Sequence, residues 1–286
     1  MQTFLIILSI VLLLCCAWIL LAAPGGRRKQ TRGFAKVKYA HRGLHGAGRA
    51  ENSLSAFRAA ADEGFGIELD VRLSKDGVPV VFHDAELSRV TGDCRRVRDL
   101  TAKELSELSL SGTAEGIPTF REVLDTVAGR VPILVEIKED NAKEKDVTPA
   151  ALALLADYRG EYLIEGFNPF SISAVKKLAP DTVRGLLCQH FTAEKSFRTI
   201  SYRLLQHFLL NVLCRPQFIA FNREHRNYFP FRLQKAVFRV PAFAWTVRSA
   251  EEEAECVAAG FDTVIFENYL PDGGRVSGAG EKKDVL

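Results

Sequence analysis

The chain opens on an uncharged run of 21 residues, Thr3 to Ala23, in which almost every side chain is apolar. About 20 helical residues at 1.5 Å each cross a hydrocarbon core of roughly 30 Å, so the run predicts a transmembrane helix. A cleaved signal peptide is the competing reading. Against it, Met1-Gln2 carries no side-chain charge, the run exceeds an ordinary h-region, and Pro24 follows the Ala22-Ala23 pair at which cleavage would fall. A lipoprotein site at Cys15 is disfavoured by the bulky Leu14 before it. An uncleaved anchor over residues 1–24 is therefore expected. Arg27, Arg28, Lys29 and Arg32 make residues 25–35 a basic linker, with Lys36 and Lys38 beyond it. The positive-inside rule then predicts a single-pass membrane protein with its domain in the cytoplasm.

From Val37 onward, short β-type runs alternate with helical patterns, which argues for an α/β domain over residues 36–271 with a mainly parallel sheet. The runs lie near Val37 to Ala40, Ile67 to Leu73, Val78 to Phe82, Pro132 to Ile137, Tyr162 to Phe167, Thr182 to Leu187, Phe218 to Phe221, Ala242 to Val247 and Thr263 to Phe266. Nine runs are one too many for a (β/α)8 barrel, so a strand of the hairpin turning at Lys75-Asp76-Gly77, or a terminal piece, is the surplus. Periodicity alone does not choose between barrel and open sheet. Ser53 caps a predicted helix to Glu63, and Thr101-Ala-Lys-Glu104 opens another, to Leu108, with a capping-box pattern. Between Ser196 and Cys214, Phe197, Ile200, Leu204, Leu205, Phe208, Leu209 and Val212 recur near helical spacing, with Arg198, Arg203 and His207 between them. They predict one helix, either packed on the core or lying with its apolar face in the bilayer. Residues 272–286 read as a disordered tail.

Composition changes this picture little. A net charge of +3, with basic residues scattered among acids, gives no footprint for nucleic acid. Six cysteines lack metal-ligand spacing and read as free thiols, which suits a reducing compartment.

Candidate chemistry concentrates between Tyr39 and Asp84. His41-Arg42-Gly43 falls where the first strand ends and a glycine-rich loop begins, a usual place for functional groups. Glu68 and Asp70 are two apart in a strand, so both carboxylates point to one face and form half of a cation site. If the Lys75-Asp76-Gly77 hairpin forms, Asp70 lies roughly opposite His83 of the His83-Asp84 pair. The ordered set HRG, ENS, ELD, DG and HD resembles the glycerophosphodiester phosphodiesterase family. The likeness continues through Ile117-Pro118-Thr119, Glu136-Ile137-Lys138, Phe167-Asn168 and Ala244-Trp245-Thr246-Val247, covering roughly residues 36 to 271.

This resemblance implies a TIM-type (β/α)8 barrel with its chemistry at the strand C-termini. It implies acid and base roles for His41 and His83, cation binding by Glu68, Asp70 and Glu136, and phosphate contacts from Arg42 and Lys138. These roles agree with the residue chemistry. Three carboxylates make a hard oxygen site suited to Ca²⁺ or Mg²⁺, and imidazoles change charge near neutral pH. Strand alternation puts Glu136 and Lys138 on one face, where the lysine and a cation would balance the carboxylate. Glu51, with Asn52, either shapes the pocket near the glycerol or starts the next helix; Trp245 is either core or pocket wall. His45, His190, His207 and His225 match no motif and read as structural or surface residues.

Three positions depart from the family pattern: Arg248 where asparagine is usual, Phe266-Glu267-Asn268 in place of a Thr-Asp ending, and Arg49-Ala50 where proline usually precedes Glu51. A cation at Arg248 near the mouth would favour an anionic head group. The expected activity is metal-dependent hydrolysis of glycerophosphodiesters to sn-glycerol 3-phosphate and an alcohol, linked to lipid metabolism. The rivals are a lysophospholipase D-type reaction on lysophospholipids and a non-catalytic membrane protein that binds a phosphorylated ligand or recruits a partner.

Overall fold

The computed structural model describes residues 1–26, 28–139, 146–194 and 199–276. The expectations for Arg27, for Ser196, Phe197 and Arg198 of the predicted helix, and for the tail beyond residue 276 lie outside the described residues.

All nine predicted strands are present, their ends shifted by no more than two residues: β1 (Tyr39–Ala40), β2 (Gly66–Leu73), β3 (Pro79–Val81), β4 (Ile133–Ile137), β5 (Tyr162–Glu165), β6 (Val183–Cys188), β7 (Phe218–Asn222), β8 (Ala242–Val247) and β9 (Thr263–Phe266). They run in the order β1-β9-β8-β7-β6-β5-β4-β2-β3, and β1 also pairs with β2. That last pairing closes eight parallel strands into a barrel. The surplus strand is β3, which lies antiparallel on β2 with Val71 opposite Val81. The register places Phe82, one residue before His83, level with Asp70, and the Phe82 N–H donates to the Asp70 carbonyl.

The helices are α1 (Gln2–Ala22), α2 (Arg28–Phe34), α3 (Leu54–Asp62), α4 (Ser88–Thr91), α5 (Ala102–Ser106), α6 (Phe120–Val127), α7 (Val147–Leu155), α8 (Pro169–Leu178), α9 (Ile200–Gln206), α10 (Asn211–Cys214), α11 (Phe229–Leu233) and α12 (Ala250–Ala258). The caps act as their sequences predict. The Ser53 hydroxyl accepts from the Ala56 N–H, and Thr101 and Glu104 form a reciprocal capping box.

Strand alternation divides the apolar side chains between two layers. Ile67, Leu69, Val71, Ile133, Val135 and Ile164 face outward into the helix layer. Leu134, Leu163, Val183, Phe218, Phe243 and Ile265 fill the barrel interior together with Phe34 and Ala35. Residues 25–35 are thus more than a linker, because α2 plugs the lower end of the barrel, where the strands begin. The start of the predicted tail is also tied down. The Lys38 N–H donates to Gly274, the Val276 N–H donates to Gly64, and the Arg275 guanidinium lies 4.7 Å from the centre of the Phe65 ring.

The single helix predicted between Ser196 and Cys214 is not found. Its described part breaks into α9 and α10 at Phe208, which has a φ of +62° and is completely buried beside Phe221. The apolar spacing was real, but the core captures Leu205 and Phe208 from two short segments. Leu205 and Phe208 are buried, whereas Leu204, Leu209 and Val212 are half-buried and Ile200 is exposed.

Candidate active site

The two strand residues of β2 fall where alternation places them, inside the barrel near its upper, C-terminal end. Asp70 is level with Glu136 on β4, and Glu136 is level with Glu165 on β5. Oxygens of Glu68, Asp70 and Glu136 lie within 4.8 Å of one another, and all three residues are buried. Lys138, two residues beyond Glu136, points to the same side and places its Nζ 2.7 Å from Glu136 Oε1 and 3.0 Å from Asp70 Oδ1.

Lys138 and the nearby Arg42 supply too little positive charge for three buried carboxylates. Burial, then repulsion from Asp70 and Glu136, pushes the Glu68 carboxyl well above the usual carboxylate range. Burial also raises Glu136, against the pull of Lys138, to about 7. At Asp70 burial works in the same direction, but Lys138, His83 and Arg42 outweigh it and hold that carboxyl well below its ordinary value. Three crowded hard-oxygen donors that are short of cation charge fit a divalent ion such as Ca²⁺ or Mg²⁺.

The loop after β1 folds over this cluster. Gly43 has a φ of +80°, and a Cβ there would come within 2.8 Å of the Ala56 backbone, so only glycine lets the loop approach α3 this closely. Arg42 and Asn52 both adopt left-handed backbone conformations, with φ of +56°. Strained backbone of this kind concentrates at functional sites. In this geometry the Arg42 N–H donates to Glu68 Oε2 at 2.9 Å and Asn52 Nδ2 donates to Asp70 Oδ2 at 2.9 Å. The Arg42 guanidinium reaches Glu51 at 2.8 Å and Asp70 at 3.5 Å. Both Glu51 oxygens are taken, since Arg89 also binds them at 2.6 and 2.9 Å. Glu51 therefore holds two arginines.

Each histidine has a carboxylate on Nδ1. His83 Nδ1 lies 2.6 Å from Asp84 Oδ1, and Asp84 is held in turn by Arg89 at 2.6 Å. His41 Nδ1 lies 2.5 Å from Glu267 Oε2, whose other oxygen accepts from Arg248 Nε at 2.7 Å. Burial lowers the pKa of both rings, while Glu267 opposes the shift at His41 and Asp70 opposes it at His83. A carboxylate accepting from Nδ1–H fixes the tautomer and leaves Nε2 of each ring to exchange a proton with a third group.

Every candidate residue read from the sequence is accounted for in this region or its wall. Trp245, half-buried, meets Phe167 edge to face at 5.6 Å and lines a cavity of about 500 Å³ that has Glu136 at one end and Phe191, Tyr202, Leu205 and Leu210 along its sides. Four partners escaped the sequence reading. Glu267 was noted only as a departure from the family ending, and His45, read as structural or surface, lies 3.7 Å from it. Asp84 was read only as part of the His-Asp pair, although its spacing from His83 was visible. Glu165 is a fourth buried carboxyl with one oxygen unbonded, raised by burial and then by Glu68 and Glu136. Arg248, read as a cation near the mouth, is paired with Glu267.

The sequence profile described as the Glycerophosphoryl diester phosphodiesterase family matches residues 41–269. A glycerophosphodiester phosphodiesterase of Caldanaerobacter subterraneus subsp. tengcongensis is 30% identical over 242 residues, covering 80% of this chain and 93% of the relative. Among solved structures, the fold is similar to that of a phosphodiesterase from Oleispira antarctica in complex with the product sn-glycerol-3-phosphate (TM-score 0.68, 23% identity, 83% of this chain and 94% of that one). It is also similar to a glycerophosphodiester phosphodiesterase from Thermotoga maritima (TM-score 0.63, 28% identity, 80% and 94%).

Proposed function

Since the chain belongs to the glycerophosphoryl diester phosphodiesterase family and is a phosphoric diester hydrolase, we propose that it cleaves glycerophosphodiesters to sn-glycerol 3-phosphate and an alcohol. In this reading His41 and His83 move the protons. Glu68, Asp70 and Glu136 would hold a divalent cation, which supplies positive charge against the non-bridging phosphate oxygens. The observation that carries the reading is the pairing of two carboxylate-oriented imidazoles with one buried carboxylate cluster.

The division of work follows from the atoms left free. Nε2 of one histidine withdraws the proton of the attacking hydroxyl, and Nε2 of the other delivers a proton to the leaving alkoxide. Arg42 offers a guanidinium fork for phosphate, braced from behind by Glu51. Lys138 neutralises Asp70 and Glu136 and adds positive charge on the same wall. Within this proposal α1 spans the membrane with the domain on the cytoplasmic side, supported by its 21 residues of high mean hydropathy and the cations that follow them. The domain then comprises α2 with the barrel.

A second substrate is favoured by one observation. The cavity beside Glu136 has walls of Phe167, Phe191, Tyr202, Leu205 and Trp245, which suit an apolar moiety such as the acyl chain of a lysophospholipid. The test uses full-length protein in detergent with glycerophosphocholine or lysophosphatidylcholine, with Mg²⁺, Ca²⁺ or a chelator, and with His83→Ala as control. Cation-dependent release of glycerol 3-phosphate that His83→Ala abolishes supports the main reading. Release of choline and lysophosphatidic acid only from the lysolipid supports the second, and no hydrolysis of either by folded protein overturns both.

A further inference from the structure

We propose that the lower end of the barrel is a bilayer-facing surface, with α1 seated on it as a stalk and the basic side of α2 resting on anionic lipid head groups. The catalytic mouth then opens into water. The inference rests on the reading of α1 as a membrane span.

The joint between α1 and the barrel is built, and it is built from distant parts of the chain. The Ala22 carbonyl, at the end of α1, accepts from Asn211 Nδ2 at 2.9 Å and from Gln234 Nε2 at 3.1 Å. Both amides are completely buried, as is Ala22. Arg215 donates to the Ala23 carbonyl at 2.9 Å, and the Gly25 N–H donates to Pro216 at 2.8 Å. A Cβ on Gly25 would come within 2.4 Å of the Arg215 carbonyl, so the chain passes here as closely as backbone allows. One turn earlier Trp18 stacks on Phe238 at 5.5 Å. A leader cut after Ala23 would strip both buried amides of their acceptor, at a cost that buried polar groups rarely bear. The Ala-Ala pair that looks like a cleavage point in the sequence is a docking point in the fold.

The position of the joint sets the orientation. Pro216 lies two residues before β7 and Phe238 four before β8, so the contacts fall at the strand N-terminal end, opposite His41, His83 and Glu136. From Gln2 to Ala17 every residue of α1 is exposed, so the helix leaves the barrel surface at Trp18 and does not return along the barrel side. Beside this exit α2 closes the barrel floor, with Phe34 and Ala35 inward and Lys29, Arg32 and Lys36 exposed; exposed Arg239 lies just beyond Phe238. No acidic residue precedes Glu51. Of the acids at this end, Asp262 is taken by Lys235, Asp62 by Arg130 and Glu63 by Arg275, while Asp157, Glu161 and Asp181 lie in the loops before β5 and β6. A cationic patch continuous with a membrane span matches anionic lipid by charge and by position. Substrate would then arrive from the aqueous phase, which favours water-soluble glycerophosphodiesters over lipid taken directly from the bilayer.

The test uses full-length protein in vesicles containing head-group spin-labelled lipid, with exposed Cys15, Cys16 and Cys94 changed to Ser. A single fluorophore is attached through Arg159→Cys, in the loop before β5, or through Glu86→Cys, beside the mouth. Quenching several-fold stronger at position 159 than at 86 is expected. It should strengthen when phosphatidylglycerol replaces part of the phosphatidylcholine and weaken again in the Arg32→Glu/Lys36→Glu/Arg239→Glu variant. Equal quenching, or stronger quenching at position 86, overturns the orientation, and mature protein beginning after Ala23 overturns the docked stalk. Glycerophosphocholine hydrolysis by the same samples is scored separately, so failure of the catalytic reading leaves the quenching result interpretable.

Discussion

Replacing Glu267 by Gln would remove one charge and preserve the shape of the group that holds His41. The Glu267 oxygen is 2.5 Å from His41 Nδ1, and the ring is half-buried. At an effective dielectric of about 20, unit charges roughly 4 Å apart interact by about 4 kcal/mol. Glu267 also serves Arg248 at the solvent edge, where screening is stronger, so about half of this is a reasonable net loss. About 2–3 kcal/mol corresponds to a fall in kcat/KM of roughly 30- to 150-fold. The pH profile carries a sharper signature. Burial lowers the His41 pKa and Glu267 is the main influence raising it, so Glu267→Gln should lower it further. If His41 is the base, the acidic limb of the profile moves to lower pH; if it is the acid, the basic limb moves to lower pH. Asp84→Asn should move the opposite limb through His83, so the pair of profiles assigns the two roles. Activity within about threefold of the parent, with both limbs unmoved, would refute the view that Glu267 positions His41.

Removing divalent cations by chelation should abolish hydrolysis and lower the Tm, with both restored by Mg²⁺ or Ca²⁺. Burial raises Glu136 from the ordinary carboxylate value of 4.5 to about 7, so its contribution to the stability of cation-free protein is complete below about 4.5 and fades as pH rises through 7. Melting should accordingly show stabilisation by added cation growing over that window, and a constant increment would contradict the assignment of Glu136 as a ligand. Lys138→Met strands Asp70 and Glu136 without their buried partner and should cost about 3–5 kcal/mol in denaturant unfolding of the cation-free protein, recovered in part by added cation. Tyr202→Ala should raise KM for lysophosphatidylcholine and leave glycerophosphocholine nearly unchanged if the apolar cavity takes the acyl chain; equal effects on both substrates would argue against that second reading.

Local signals in the chain carried a large part of this description. Period-2 alternation put Glu68 with Asp70 and Glu136 with Lys138 on common faces, because side-chain direction in a strand is a property of the backbone alone. Ser53 and Thr101 announced helix starts for the same reason, since a cap needs only its own next three residues. The segment around Phe208 failed this logic, because burial against Phe221 outweighed a helical pattern. The partners that complete the site were invisible for a different reason. Glu267 meets His41 across 226 residues of chain, only because β1 pairs with β9 and closes the barrel. Ala22 meets Asn211 and Gln234 across 189 and 212 residues, only because the stalk docks where the strands begin. Periodicity and motif order reach as far as one turn or one hairpin, so the sequence by itself determined which groups line each strand. Closure of the sheet decided which of those groups touch.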